Sequence, residues 1–216
     1  GYNEPNSPAS ESSLSRGAEI ISIDGETIED SNNVDALNAG LFPETLGETH
    51  TFVVRDLNAT EDRTFTMTSA ETTSVPVKNI ATFDVAGKKV GYLTFNAHIK
   101  PAETQLIDAI SQLKASNVEE LVLDMRYNGG GYLTIAAELG YMVAGPLAEG
   151  LIFDELTFND KYTERDPINN NILEPSRFES TAAGFDAPTN PTPAGAALPS
   201  LSLSRVFVLS SGGTAS

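Results

Sequence analysis

Three consecutive glycines, Gly129-Gly130-Gly131, stand between a short apolar run, Leu121-Val122-Leu123, and a stretch with helical spacing that begins at Tyr132. Three adjacent apolar residues suit a strand buried on both faces. The glycines let the backbone leave that strand sharply, because no Cβ blocks the left-handed region. The spacing then predicts a helix over Tyr132–Val143, closed by Gly145-Pro146. Upstream, Val90–Phe95 reads as a strand after a turn at Ala86-Gly87, and Pro101 suits a first helical position. Leu106, Ile107, Ile110 and Leu113 mark one face of a helix ending near Ala115. Strand, helix, strand, helix predicts parallel βαβ construction. A further apolar strand, Arg205–Leu209, precedes the closing run Gly212-Gly213-Thr214-Ala215-Ser216. In a parallel sheet both glycine-rich runs lie at carboxyl ends of strands, where such folds place their sites.

The first third of the chain has another texture. Residues 1–16 read as loop, Ala18–Ile23 as a strand, and Asp24-Gly25 as a hairpin turn, since both residues tolerate positive φ. A helix is expected over Asn32–Ala39, with Ser31 as N-cap and Gly40 as its stop. Thr51–Asp56 and Arg63–Thr68 follow as strands. Residues 159–200, polar and rich in Asn, Pro, Ala and Thr, read as a long surface excursion.

Composition narrows the chemistry. The chain lacks cysteine, which removes disulfides, thiol nucleophiles and thiolate metal sites. Its two histidines, His50 and His98, leave little for a multi-histidine metal centre. A formal net charge of −17 argues against a nucleic-acid partner, which needs a basic face. The most apolar stretch, Ile135–Phe153, is broken by Glu138, Pro146 and Glu149 and cannot span a bilayer. The N-terminus shows neither an initiator Met nor a signal segment and reads as the interior of a longer protein.

A turn of consecutive glycines can aim backbone N–H groups at one negative oxygen, and a helix start adds its positive dipole end. Such a loop serves as an oxyanion hole or a phosphate cradle, or it is only a tight turn. The phosphate patterns G-x-G-x-x-G and the Walker motif are absent. The second loop can raise a serine hydroxyl, and nucleophile and backbone donors on neighbouring loops are what acyl transfer requires.

The order Asp124-Met-Arg126-Tyr-Asn128-Gly-Gly-Gly131, then a strand and Thr214-Ala215-Ser216, resembles the C-terminal processing (tail-specific) serine peptidases. Asn6-Ser7-Pro8-Ala9 and Leu14–Gly25 resemble the second half of a bacterial-type PDZ domain. The resemblance implies a partial β-rich PDZ-like domain over 1–76 and, over 77–216, the first part of an α/β peptidase core. That core would be built of βαβ elements in the ClpP/crotonase-like manner. It implies Ser216 as nucleophile and Gly129, Gly130 and Gly131 as oxyanion donors, Gly130 foremost. Asp124, Arg126 and Asn128 would shape the loop. The family's general base is a lysine downstream of Ser216, so the 216-residue chain is expected to be inactive by itself. Proteins bound through their C-termini are the implied partners, no cofactor or metal is implied, and the implied setting is extracytoplasmic in a bacterium, periplasmic or lipoprotein-anchored. The competing expectation is a catalytically inactive relative that binds peptides or lipophilic ligands.

Other candidates are weaker. His98 follows a strand and is of the type that pairs with serine in a triad, but a lone loop histidine reads as exposed. His50 lies beside a strand of the first segment. Lys88, Lys89 and Lys100 sit in polar surroundings and read as surplus charge. Asp154-Glu155 and Asp160 lack calcium-loop spacing and read as solvated surface.

Overall fold

A computed structural model describes residues 3–187 and 191–215. The chain divides into two units between Ser74 and Val75.

In the first unit, α1 (Pro8–Glu11) is a single turn inside the segment expected to be loop, capped by Ser7 Oγ accepting from Ser10 N–H. β1 (Glu19–Ile23), β2 (Glu26–Thr27), β3 (Thr49–Arg55) and β4 (Arg63–Thr68) form an antiparallel sheet in the order β2-β1-β3-β4. The β1–β2 turn is Asp24-Gly25, with φ of 50° and 86°. The Asp24 carboxylate accepts from Thr51 N–H and from His50 Nδ1, which holds Asp24 below its ordinary pKa and His50 above its own. Asn33, rather than the expected Ser31, caps α2 (Val34–Leu41) by accepting from Ala36 N–H. Gly40 is not a stop but a contact point: a Cβ there would lie 2.3 Å from Ile23 Cγ2. Ile23, Leu37, Phe52 and Val54 form the core of this unit.

The second unit is built on β5 (Val77–Val85), β6 (Lys88–Phe95), β7 (Glu120–Asp124) and β10 (Val206–Leu209), in the order β10-β7-β6-β5. β6, β7 and β10 run parallel, and β5 closes the other edge as the antiparallel arm of a hairpin through Ala86-Gly87. α3 (Ala102–Ala115) joins β6 to β7, and α4 (Leu133–Ala144) follows β7. Pro101 stands one position before α3, with αR dihedrals that pre-set the helix. Leu93, Phe95, Leu106, Ile110, Leu121, Ile135 and Met142 are fully buried between sheet and helices. At the start of the parallel strands Glu120 pairs with Lys88 Nζ (2.6 Å) and with Arg205, so Lys88 is not surplus charge.

After α4 the chain forms a short hairpin of β8 (Ile152–Asp154) and β9 (Ser176–Arg177) around a mostly exposed segment. The surface excursion expected over 159–200 is surface only in its first part. From Phe178 the chain returns to the core: Ala182 and Leu198 are buried, and Phe178, Phe185 and Ala196 pack against the same cluster. Small residues there read as loop in sequence, yet they fit closely over α3 and α4.

Candidate active site

The loops after β7 and β10 meet at the carboxyl ends of adjacent parallel strands. Met125 N–H donates to Leu209 C=O and Ala215 N–H to Asn128 C=O, at 2.9 Å each. Ser211 Oγ donates to Arg126 C=O (2.6 Å) and Thr214 Oγ1 to Met125 C=O (2.9 Å). Neither loop depends on its own contacts alone. Ser216, the expected nucleophile, lies outside the described residues; the chain leading to it is the segment so fixed.

Asp124 ends β7 fully buried and accepts from Arg126 Nε (2.9 Å), Arg126 Nη2 (2.7 Å) and Tyr92 OH (2.6 Å). The guanidinium, the tyrosine hydroxyl and Arg126 N–H hold its carboxyl far below the usual carboxylate range against the opposing effect of burial. Arg126 is raised in turn, chiefly by Asp124. With its acceptor sites so occupied, Asp124 anchors the loop.

Asn128 is also fully buried. Its Oδ1 accepts from Gly130 N–H (2.8 Å) and from His98 Nδ1 (3.0 Å), while Nδ2 donates to Phe95 C=O (3.1 Å). An amide flanked by one N–H and one C=O has one satisfactory orientation. That fixes His98 as the Nδ1–H tautomer. Burial pushes the His98 pKa down, so the ring is neutral near pH 7 with its lone pair on Nε2.

His98 is the residue that sequence reasoning misplaced. It is 7% exposed, edge-on to Phe95, and its backbone braces the glycine loop: N–H donates to Gly130 C=O and C=O accepts from Tyr132 N–H. Gly131 lies against it at φ 135°, and a Cβ there would fall 2.2 Å from His98 C=O. Gly130, at φ 89°, faces Ala215, whereas among the described residues nothing lies within 4 Å of a Cβ built on Gly129. The N–H of Gly130 is taken by Asn128, but no acceptor among the described residues takes that of Gly129 or Gly131.

Residues 89–216 match the family model described as peptidase family S41. The chain belongs to peptidase family S41. Within the S41 stretch lie β6, β7, β10 and both loops of the site. The chain is 28% identical over 141 residues to a carboxyl-terminal-processing protease of Picosynechococcus sp., which is 62% of this chain and 32% of that protein. It is 27% identical over 137 residues to a carboxy-terminal processing protease of Bacillus subtilis, again 62% of this chain but 27% of that one. The match thus spans about a third of these relatives. A putative S41 protease from Bacteroides fragilis superposes with a TM-score of 0.58 at 25% identity, covering 99% of this chain and 52% of that one. The photosystem II D1 C-terminal processing protease shares the fold, with a TM-score of 0.50, 20% identity, and coverage of 98% and 49%.

The other sequence candidates lie elsewhere. His50 is in the first unit, paired with Asp24. Among the described residues no group of three or more His, Cys, Asp or Glu could hold a metal ion, and no helix is long and apolar enough to cross a membrane.

Proposed function

We propose that this chain belongs to a serine endopeptidase that cleaves protein substrates near their C-termini, with Ser216 as nucleophile. The observation that carries this is the pairing of the two strand-end loops through Ala215 N–H and Asn128 C=O, which brings the residue before Ser216 to the glycine turn. The N–H groups of Gly129 and Gly131 stabilise the developing oxyanion. Gly130 acts through its geometry, since its own N–H is bound to Asn128. Asp124, Arg126 and Asn128 hold the loop in that shape before substrate arrives, so little reorganisation is needed in the transition state.

Ser216 attacks the scissile carbonyl and loses its proton to a base. As the tetrahedral intermediate collapses, the protonated base passes that proton to the leaving amine. Water, deprotonated by the same base, then hydrolyses the acyl-enzyme and restores the serine hydroxyl. Family resemblance supplies a lysine downstream of Ser216 as the base. A second reading rests on His98, because a neutral ring with its lone pair on Nε2, packed against the glycine loop, has the state a base requires. The first unit is read as a PDZ-like module that takes a substrate C-terminus as an added strand. Support comes from its four-stranded sheet, with short β2 at one edge, and from a cavity of about 660 Å³ lined by Leu14, Ile20, Leu41, Phe42, Phe52 and Met67. An extracytoplasmic bacterial setting accords with the bacterial relatives.

Fluorophosphonate labelling and cleavage of C-terminally tagged peptides by the full-length protein test this. Both are expected to vanish in Ser216→Ala. Cleavage that survives the substitution overturns Ser216 as nucleophile, whereas neither labelling nor cleavage in the wild-type protein overturns the peptidase reading and leaves the binding module. Labelling that survives loss of the downstream lysine but not His98→Ala favours the histidine base.

A further inference from the structure

Two fully buried glutamates lie outside the site and have no part in the chemistry above. Glu103, in the first turn of α3, accepts from Gly184 N–H on Oε1 and from Phe185 N–H on Oε2, both at 2.8 Å. Glu138, midway along α4, accepts from Ala183 N–H on Oε1 at 2.8 Å. Three successive backbone N–H groups thus converge on one carboxyl pair, a concave arrangement suited to negative charge. Gly184 permits it with φ 82°, and a Cβ there would lie 2.5 Å from Ala194 N. Thr104 adds a tie from α3, its Oγ1 accepting from Thr192 N–H (3.1 Å).

The grip has a consequence beside the glycine loop. Phe185, fixed through its N–H, packs its ring on Tyr132 with centroids 4.8 Å apart. Tyr132 directly follows Gly131 and is tied to His98 C=O. Tyr132 is 44% exposed and Phe185 is partly open, so both rings offer apolar surface next to the turn.

We propose that Glu103 and Glu138 form a positioning latch that holds Phe185 against Tyr132, and that these two rings are the wall selecting a large apolar substrate side chain beside the scissile bond. The inference rests on the peptidase reading above.

The charge state follows from the contacts. Glu103 accepts from two N–H groups, one on each carboxyl oxygen. Among the described residues no hydrogen-bond partner meets the buried Glu138 Oε2, which favours a proton there. Burial, with Glu103 and Glu179 as the carboxylates facing it from α3 and the docked segment, pushes Glu138 up to about 8. Below that value Glu138 keeps a proton beside Glu103. Above it Glu138 gains a buried negative charge facing Glu103, and the grip on 183–185 weakens.

The test uses the full-length protein and peptides with Phe or Ala before the scissile bond, with kcat and KM measured on both sides of pH 8. Preference for Phe over Ala is expected to be at least about tenfold below that value and to shrink above it through KM. Glu138→Gln keeps an acceptor for Ala183 N–H and cannot ionise, so its preference should stay level across the range. Phe185→Ala should lose the preference at every pH. A wild-type preference that does not change with pH, or a Glu138→Gln profile that superimposes on wild type, overturns the latch. Should Glu138→Gln fail to fold, an unaltered preference in Phe185→Ala overturns it instead. Cleavage that persists in Ser216→Ala sinks the Ser216 mechanism on which the inference rests, whereas Ser216-dependent cleavage with a flat profile sinks only the latch.

Discussion

His98 donates from Nδ1 to Asn128 Oδ1 across 3.0 Å, and both side chains are buried. Through that bond the end of β6 and the glycine loop after β7 hold each other in place, and the histidine tautomer is fixed by an amide rather than a carboxylate.

Asn128→Ala should therefore be costly. It leaves His98 Nδ1–H, Gly130 N–H and Phe95 C=O without their partner in a buried site. A loss of about 3 kcal/mol is expected in urea unfolding. Activity should fall further than stability explains, because the turn loses its shape. A variant within a few tenths of wild-type stability would contradict this account of the loop.

Gly131→Ala and Gly129→Ala should separate cleanly. The first forces a Cβ against His98 C=O at 2.2 Å with φ 135°, while the second meets nothing within 4 Å among the described residues. Thermal unfolding should show Gly131→Ala destabilised by about 2–4 kcal/mol and Gly129→Ala close to wild type. Equal melting temperatures for the two would refute the close approach of Gly131 to His98.

Asp124 bears on acid tolerance. Its folded pKa lies below the unfolded value, so its contribution is present above the unfolded pKa and fades as pH falls through the folded one. Asp124→Asn removes that term. The variant should be less stable than wild type near neutrality, with the difference narrowing below about pH 4. Parallel curves across that window would show that Asp124 titrates no differently in the folded protein.

Glu138 works in the opposite sense. Its folded value, about 8, lies above the ordinary 4.5, so the folded state keeps a proton that the unfolded chain has released. Stability from this group is full below the unfolded value, declines as pH rises between the two, and is level beyond the folded one. Glu138→Gln should flatten that decline in thermal melts recorded across the range. An identical slope in the variant would show that Glu138 is ionised throughout.

Thr214→Val and Ser211→Ala each remove a bond from the second loop to the first, to Met125 C=O and Arg126 C=O respectively. Each should cost about 1 kcal/mol. Fluorophosphonate labelling of the double variant should slow by more than the product of the single effects, since either bond alone still tethers the loop. Strictly multiplicative labelling rates would argue that the two bonds act independently.

Much of the second unit follows from local pattern. A three-residue apolar run, a glycine turn and a helical face favour a strand, a sharp exit and a helix, and repetition of strand and helix made β6, β7 and β10 parallel. Asp124, Arg126 and Asn128 stood beside the glycines in sequence, so the short-range bonds from Arg126 to Asp124 and from Gly130 to Asn128 lay within reach of local reading. β5 was not legible, because only Val77 of its residues is buried and its alternation is blurred. His98 was misread as exposed for a related reason: nothing in Asn96-Ala97-His98-Ile99 reports that Asn128, thirty residues on, will bury it.

Glu103 and Glu138 left one trace, since each lies on the apolar face of its helix, with Leu106 and Ile110 or with Ile135, Leu139 and Met142. Periodicity can say that such a carboxyl points inward. It cannot name the three N–H groups that receive it, since those belong to a segment some forty-five to eighty residues away. The sequence by itself determined the elements, their order and the glycine turn, because propensity, turn chemistry and hydrophobic period act over a few residues. Only the tertiary structure decided which polar groups are buried and what satisfies them, because desolvation and hydrogen-bond partnership depend on neighbours that the chain brings together from afar.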